Sequence, residues 1–223
     1  KNILDEMNEQ DIAELFMELD ERDLTLIYRL LNKELAAEVF VNMEPEYQEQ
    51  LIRAFSDSEL REVLDELYVD DAVDLIEEMP SSLVKRILKH TDPETRKSIN
   101  EILKYPEDSA GSIMTIEYVD LKRSMTVADA FMRIRRTGVD KETIYTCYVL
   151  DMSRKLIGLV SVKDLLLAEK NDSIKDIMET NIITVNTLDD KEEVVKKFEK
   201  YDFIALPVVD KEERLVGIIT IDD

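Results

Sequence analysis

The sequence predicts an all-α helical superhelix followed by a tandem α/β pair, and three observations carry that prediction. Residues 1–104 contain no glycine, and their apolar side chains fall three and four apart, as half-buried helices require. From residue 112 the period changes to short apolar strands alternating with helices. Within that second part a phrase occurs twice. Leu156-Ile157-Gly158-Leu159-Val160-Ser161-Val162-Lys163-Asp164 returns as Leu215-Val216-Gly217-Ile218-Ile219-Thr220-Ile221-Asp222-Asp223, and two of only four glycines share one slot of it.

The helical pattern is set by residues 11–19 and echoed at 34–43, 59–67 and 71–79. The spacing of the first three, about two dozen residues with other short helices between, suggests stacked helical hairpins in a solenoid-like array. Glu44-Pro45-Glu46, Ser56-Asp57-Ser58, Pro80-Ser81-Ser82 and Asp92-Pro93-Glu94 supply capping oxygens or a proline at helix starts. They favour many short helices over one long one. Tyr105-Pro106-Glu107-Asp108-Ser109-Ala110-Gly111 breaks the helical pattern and marks the domain boundary.

Beyond it, 126–136 reads as a helix, 143–150 and 156–162 as strands, and 163–170 as a helix. The second copy supplies strands at 182–185, 203–209 and 215–221 and a helix at 191–201. Met114-Thr115 and Met178-Glu179 open the two copies. The expected domains are 1–105, 106–172 and 173–223, the last cut near its end. Because the chain opens at Lys1 and stops just after the second phrase, it reads as a piece of something longer.

A formal charge of -22 repels nucleic acid and anionic lipid and concentrates cations at the surface. A lone cysteine, Cys147, excludes an internal disulfide and reads as a buried structural thiol. No apolar run approaches the ~20 residues that span a bilayer. The lone His90 has no cysteine or second histidine with which to form a zinc site. No phosphate-cradling glycine loop or catalytic-triad phrase occurs, so no enzyme activity is expected. Arg133, Arg135 and Arg136 form one isolated basic cluster, suited to pairing with neighbouring acids.

The duplicated unit resembles a CBS-domain pair. The joining segment 105–115 and the phrase Tyr201-Asp202-Phe203-Ile204-Ala205-Leu206-Pro207-Val208-Val209-Asp210 further resemble the cytosolic portion of the MgtE family of magnesium channels and transporters. In that family a helical N domain precedes tandem CBS domains, a connecting helix and a transmembrane pore. The resemblance covers the whole chain. It implies a Mg2+-sensing regulatory region at the cytoplasmic face of the membrane. This region would form a homodimer through its CBS domains, compact with Mg2+ bound, and would close its own pore domain. The charge is compatible with such a role, since facing carboxylates a few ångströms apart repel by roughly 1 kcal/mol in water. Mg2+ is a hard ion that keeps much of its water and needs only one or two carboxylates.

Asp70 and Asp74 lie four apart on one helix, where unpaired like charges cost about 0.2–0.5 kcal/mol. Spacing alone also allows a helix-start carboxylate followed by a solvated acid. The resemblance implies that both are magnesium ligands, together with Glu38, Asp190, Glu192, Asp202 and Asp223. Asp190 and Glu192 equally suit a helix start without further function. The family further implies a nucleotide cleft in some members: Asp164 matches its ribose-contacting acid, Lys163 stands where arginine is common, and Phe203 is placed to stack on adenine. Asp164 also reads as the cap of a helix beginning at Leu165. Two alternatives stay open: an adenine-nucleotide-sensing CBS regulatory module, with ATP as the candidate nucleotide, and a helical scaffold, since the array also resembles the helical layers of flagellar motor-switch proteins.

Overall fold

The computed structural model describes residues 4–221, the side chains of Asp5 and Asp140 excepted. It divides into two compact units between Asn100 and Glu101. The first unit is helical: α1 (Glu9–Met17), α2 (Glu21–Tyr28), α3 (Lys33–Val41), α4 (Pro45–Ala54), α5 (Asp57–Leu64), α6 (Val69–Glu78), α7 (Ser81–His90) and α8 (Pro93–Ile102). The connections are only a few residues long because each new helix starts on a local device. Asn8, Asp20 and Asn32 accept hydrogen bonds from the first-turn amides of α1, α2 and α3. Pro45 opens α4, and Ser56 with Glu59 forms a reciprocal capping box on α5.

Packing skips one helix at a time: α1 lies on α3, α2 on α4, α3 on α5 and α5 on α7. This is the stacking expected from the recurrent echoes. Ile12, Leu24, Val39, Leu51, Ile52, Ile87 and Ile99 are wholly buried between the layers. Two arginines lock the corner between α4 and α5. Arg86 of α7 donates to the carbonyls of Ile52 (2.5 Å) and Phe55 (2.6 Å), and Arg29 pairs with Glu59 (2.6 Å). His90 closes α7, buried, with Nε2 3.3 Å from Asp57.

The second unit carries the duplication. The first copy comprises β1 (Val119–Lys122), α9 (Val127–Thr137), β2 (Thr146–Leu150), β3 (Leu156–Ser161) and α10 (Val162–Leu167). After a single turn, α11 (Ile174–Ile177), the second copy has β4 (Val185–Asn186), α12 (Lys191–Tyr201), β5 (Ala205–Val209) and β6 (Leu215–Thr220). Each copy forms a three-stranded sheet, parallel between its first two strands and antiparallel between its last two. Even the irregularities repeat. The register shifts between Val149 and Leu150 and again between Val208 and Val209. Both hairpin turns hold a residue at positive φ, Arg154 (65°) and Glu213 (64°).

The copies are stitched reciprocally. Thr115, which opens the first copy, exchanges backbone hydrogen bonds with Ile218 of β6; Glu179, which opens the second, exchanges them with Leu159 of β3. The shared glycine slot follows from this exchange. A Cβ on Gly158 would stand 2.6 Å from the sulfur of Met178, and one on Gly217 would stand 2.7 Å from that of Met114. Tyr118, Tyr148, Leu150, Leu215 and Ile218 fill a core drawn from both copies.

Several boundaries differ from the sequence reading. The strand expected at 182–185 contracts to Val185–Asn186, because only those two residues pair with β5. The helix expected at 163–170 is Val162–Leu167. Its cap is Ser161 rather than Asp164: the Ser161 hydroxyl accepts from the Asp164 amide (3.1 Å) while the Asp164 carboxylate accepts from that hydroxyl (2.5 Å). Arg133 does pair with an acid, bonding both the carbonyl and the carboxylate of Asp120.

Candidate metal and nucleotide sites

In the helical unit the acids of interest come from α6. Asp70 occupies its first turn and is buried, with 9% of its surface exposed, whereas Asp74 is exposed. Asp74 lines a small polar cavity of about 140 Å³ together with Asp71 and Glu78, from the same helix, and Gln48. The positions 71, 74 and 78 lie three and four apart, so one helix face presents all three carboxylates. Gln48 is buried, its amide donating to the Phe40 carbonyl at 2.9 Å. Glu38 lies on α3, exposed, and is not part of that lining.

Asp71 and Glu78, which line the same cavity, are not among the acids singled out in the sequence. The signal was present as the i, i+3, i+7 spacing, but nothing local says that Asp70 faces inward. Among the described residues, no three acidic, histidine or cysteine side chains converge closely enough to enclose a metal ion.

In the α/β unit each candidate acid among the described residues has an identifiable local role. Asp190 is the exposed N-cap of α12, accepting from the Glu192 amide at 2.8 Å, and Glu192 sits in the first turn, where the helix dipole favours a carboxylate. Asp202 closes the same helix in the left-handed conformation (φ 51°, ψ 42°), its amide donating to the Phe198 carbonyl at 2.9 Å. Asp tolerates this geometry better than most side chains. Asp223 lies outside the described residues.

The nucleotide candidates sit at the start of α10 and the end of α12. Lys163 and Asp164 are both exposed. Asp164 is already engaged in the capping box, though a carboxylate keeps further acceptor capacity. Phe203 is half-buried with its ring stacked on Tyr201, centroids 5.4 Å apart at 27°. One face of Phe203 is thus covered. Cys147 lies wholly buried in β2, where desolvation pushes its thiol up to about 12, far from a nucleophile at neutral pH. No helix of the described residues is long and apolar enough to cross a membrane.

Comparison with known proteins now bears on this arrangement. A family model for the MgtE intracellular N domain matches residues 7–108, and the CBS domain model matches residues 110–171 and 174–223. The magnesium transporter MgtE of Thermus thermophilus is 38% identical over all of this chain and 50% of its own length; that of Bacillus subtilis is 31% identical over all of this chain and 49% of its own. The chain thus spans about half the length of the curated relatives it matches. Among solved structures, the cytosolic domain of the Mg2+ channel MgtE in complex with ATP superposes with a TM-score of 0.93 at 38% identity, covering 99% of this chain and 90% of that one. The soluble part of a magnesium transporter superposes at 0.92 and 30% identity, covering 99% and 87%. Helical array, stitched CBS pair and whole-length likeness agree, and the chain belongs to the MgtE family.

Proposed function

We propose that this chain is the Mg2+-sensing regulatory region of an MgtE-type magnesium channel or transporter, acting at the cytoplasmic face of the membrane and having no enzymatic activity of its own. Its domains are taken as 1–105, 106–172 and 173–223. The observation that carries the reading is the likeness, along the whole chain, to the cytosolic domain of an Mg2+ channel. Charge supplies the mechanism. At -22 the molecule resists compaction, and Mg2+ bound preferentially to a closed form shifts the population towards it. Glu38, Asp70 and Asp74 from the helical unit, and Asp190, Glu192, Asp202 and Asp223 from the CBS pair, are the proposed ligands. Burial of Asp70 makes it a poor test residue, since its replacement perturbs folding as well as ion binding. Asp74, exposed on the same helix, is the better probe.

A homodimer through the CBS pair is part of the reading. Met132 on α9 and Leu166 and Leu167 on α10 are 60%, 68% and 77% exposed, and α9 packs on α10. Such a patch suits a partner of the same kind. The pore domain in the remaining half of the full-length protein is the other proposed partner. ATP is a second ligand reading, favoured by the ATP complex of the structural relative and by the exposed Lys163 and Asp164, with Phe203 half-buried. Small-angle scattering across millimolar Mg2+, with Ca2+ and matched NaCl as controls, tests the sensing reading. Compaction specific to Mg2+ and weakened in Asp74→Asn is expected. Compaction that merely follows ionic strength, or none, would reduce the effect to screening. Calorimetric titration with ATP, giving heat in the parent and little in Asp164→Asn, tests the second ligand.

A further inference from the structure

The segment that leaves the helical unit is bound, over most of its length, to the second CBS copy rather than the first. The Ala110 amide donates to the Asp189 carbonyl (2.7 Å) and the Gly111 amide to that of Thr187 (2.9 Å). Thr115 and Ile218 exchange both their amides and carbonyls, at 2.8 and 2.9 Å. The Lys191 amide returns a bond to the Asp108 carbonyl (3.0 Å), and its ammonium pairs with the Asp108 carboxylate (2.6 Å).

Steric closeness supports the same picture. A Cβ on Gly111 would lie 2.6 Å from the Tyr105 ring and 2.9 Å from the Thr187 carbonyl; one on Gly217 would meet the Thr115 carbonyl at 2.7 Å. Ser109, Ala110, Gly111, Ser112, Met114 and Thr115 are all buried. A loose linker would be exposed and poor in backbone partners. This one is neither.

We propose that residues 105–116 form a relay strap, so that loosening of the helical unit is passed to β6 of the second copy in preference to the sheet of the first. The strap adds a route to the sensing function proposed above, on which its regulatory meaning rests. The mechanical claim stands by itself. A bound strap transmits strain only while its bonds to Asp189, Thr187 and Ile218 persist, and the first copy's own sheet makes none of those bonds. The copies are nonetheless coupled by their reciprocal stitching, so the claim concerns which copy responds more.

Amide hydrogen exchange on the whole chain, in metal-free buffer, tests it independently of any Mg2+ response. The Ala110, Gly111 and Thr115 amides are expected to exchange at least about 100-fold more slowly than in an unstructured peptide. Gly217→Ala, which crowds Met114 and Thr115, should speed all three by about tenfold or more. Gly158→Ala, the equivalent change on the other side of the repeat, should leave them protected and expose the Glu179 amide instead. If Gly217→Ala does not fold, Lys191→Met removes only an exposed ion pair and should still speed Ala110 by up to about fivefold. Ile52→Val, buried in the helical unit, should accelerate Thr115 and Ile218 while Tyr148 and Val149 in β2 stay as they were. Unprotected strap amides, equal effects of the two glycine variants on the strap, or an Ile52→Val response equal in β2 and β6 or absent from both would overturn the proposal.

Discussion

Arg86 offers the sharpest test of how the helical unit holds together. Its guanidinium reaches from α7 to the end of α4, donating at 2.5 Å to the Ile52 carbonyl and at 2.6 Å to that of Phe55, with Asp57 at 3.0 Å beside it. Both carbonyls lie where α4 has run out of amides, so without Arg86 they depend on water. A hydrogen bond to a charged donor contributes about 1.5–3 kcal/mol. The site is partly open and water can replace part of the loss, which favours the lower figure for each bond. Arg86→Met, which keeps the apolar stem, should therefore cost roughly 3 kcal/mol. At about 4–8 °C per kcal/mol for a unit of this size, the melting point should fall by at least about 12 °C. Arg86→Lys brings one ammonium in place of a fork and should recover less than half of the loss. Urea unfolding followed by circular dichroism at 222 nm gives both values. A cost below about 0.5 kcal/mol for the methionine variant, or full recovery by lysine, would refute the clamp, since that size is typical of a surface substitution.

Other perturbations have equally definite outcomes. The Arg29 guanidinium, helped by the Ser56 amide, holds the Glu59 carboxyl down at about 2 from its ordinary 4.5. A lowered carboxyl contributes fully above pH 4.5 and loses its contribution as the pH falls from there towards 2. The pair is partly exposed, so screening limits it to about 1 kcal/mol; Arg29→Met should flatten that part of an acid-unfolding curve. Ser161→Ala removes the cap of α10 and should cost about 1 kcal/mol in chemical denaturation, with Ser161→Thr close to neutral. Cys147 should resist a thiol reagent at pH 8 on the timescale of global unfolding, because burial keeps it protonated; rapid labelling of the native chain would contradict its position in β2.

The sequence revealed most where neighbours in the chain decide the structure. The i, i+3, i+4 pattern announced α3, α5 and α6, and the repeated phrase announced β3 and β6, because both signals are local and periodic. β1 was not anticipated: Val119–Lys122 is four residues long with a charge at each polar slot, and only parallel pairing with β2 makes it a strand. The same limit applies to the candidate site. Asp70 and Asp71 are neighbours of identical chemistry, yet one is turned inward and the other lines the cavity, a choice set by α6 meeting other helices. The cap at Asp202 carried no glycine to flag it, since an aspartate occupies the left-handed position there. Asp164 was assigned a capping role, but as the cap itself; the three-residue offset to Ser161 is the capping-box spacing, readable in retrospect.

The reciprocal stitching has a consequence for how such a protein could have arisen. A solitary copy would own an opening segment without a strand of its own to receive it, and a last strand with an empty edge. Two identical solitary copies satisfy each other's needs by two-fold exchange, which is the geometry kept between Thr115 and Ile218 and between Glu179 and Leu159. Fusing their genes end to end makes that encounter intramolecular and removes its dependence on concentration. Once fused, the halves are free to diverge, and a lysine at position 163 where the second phrase carries an aspartate, at position 222, is one record of that freedom.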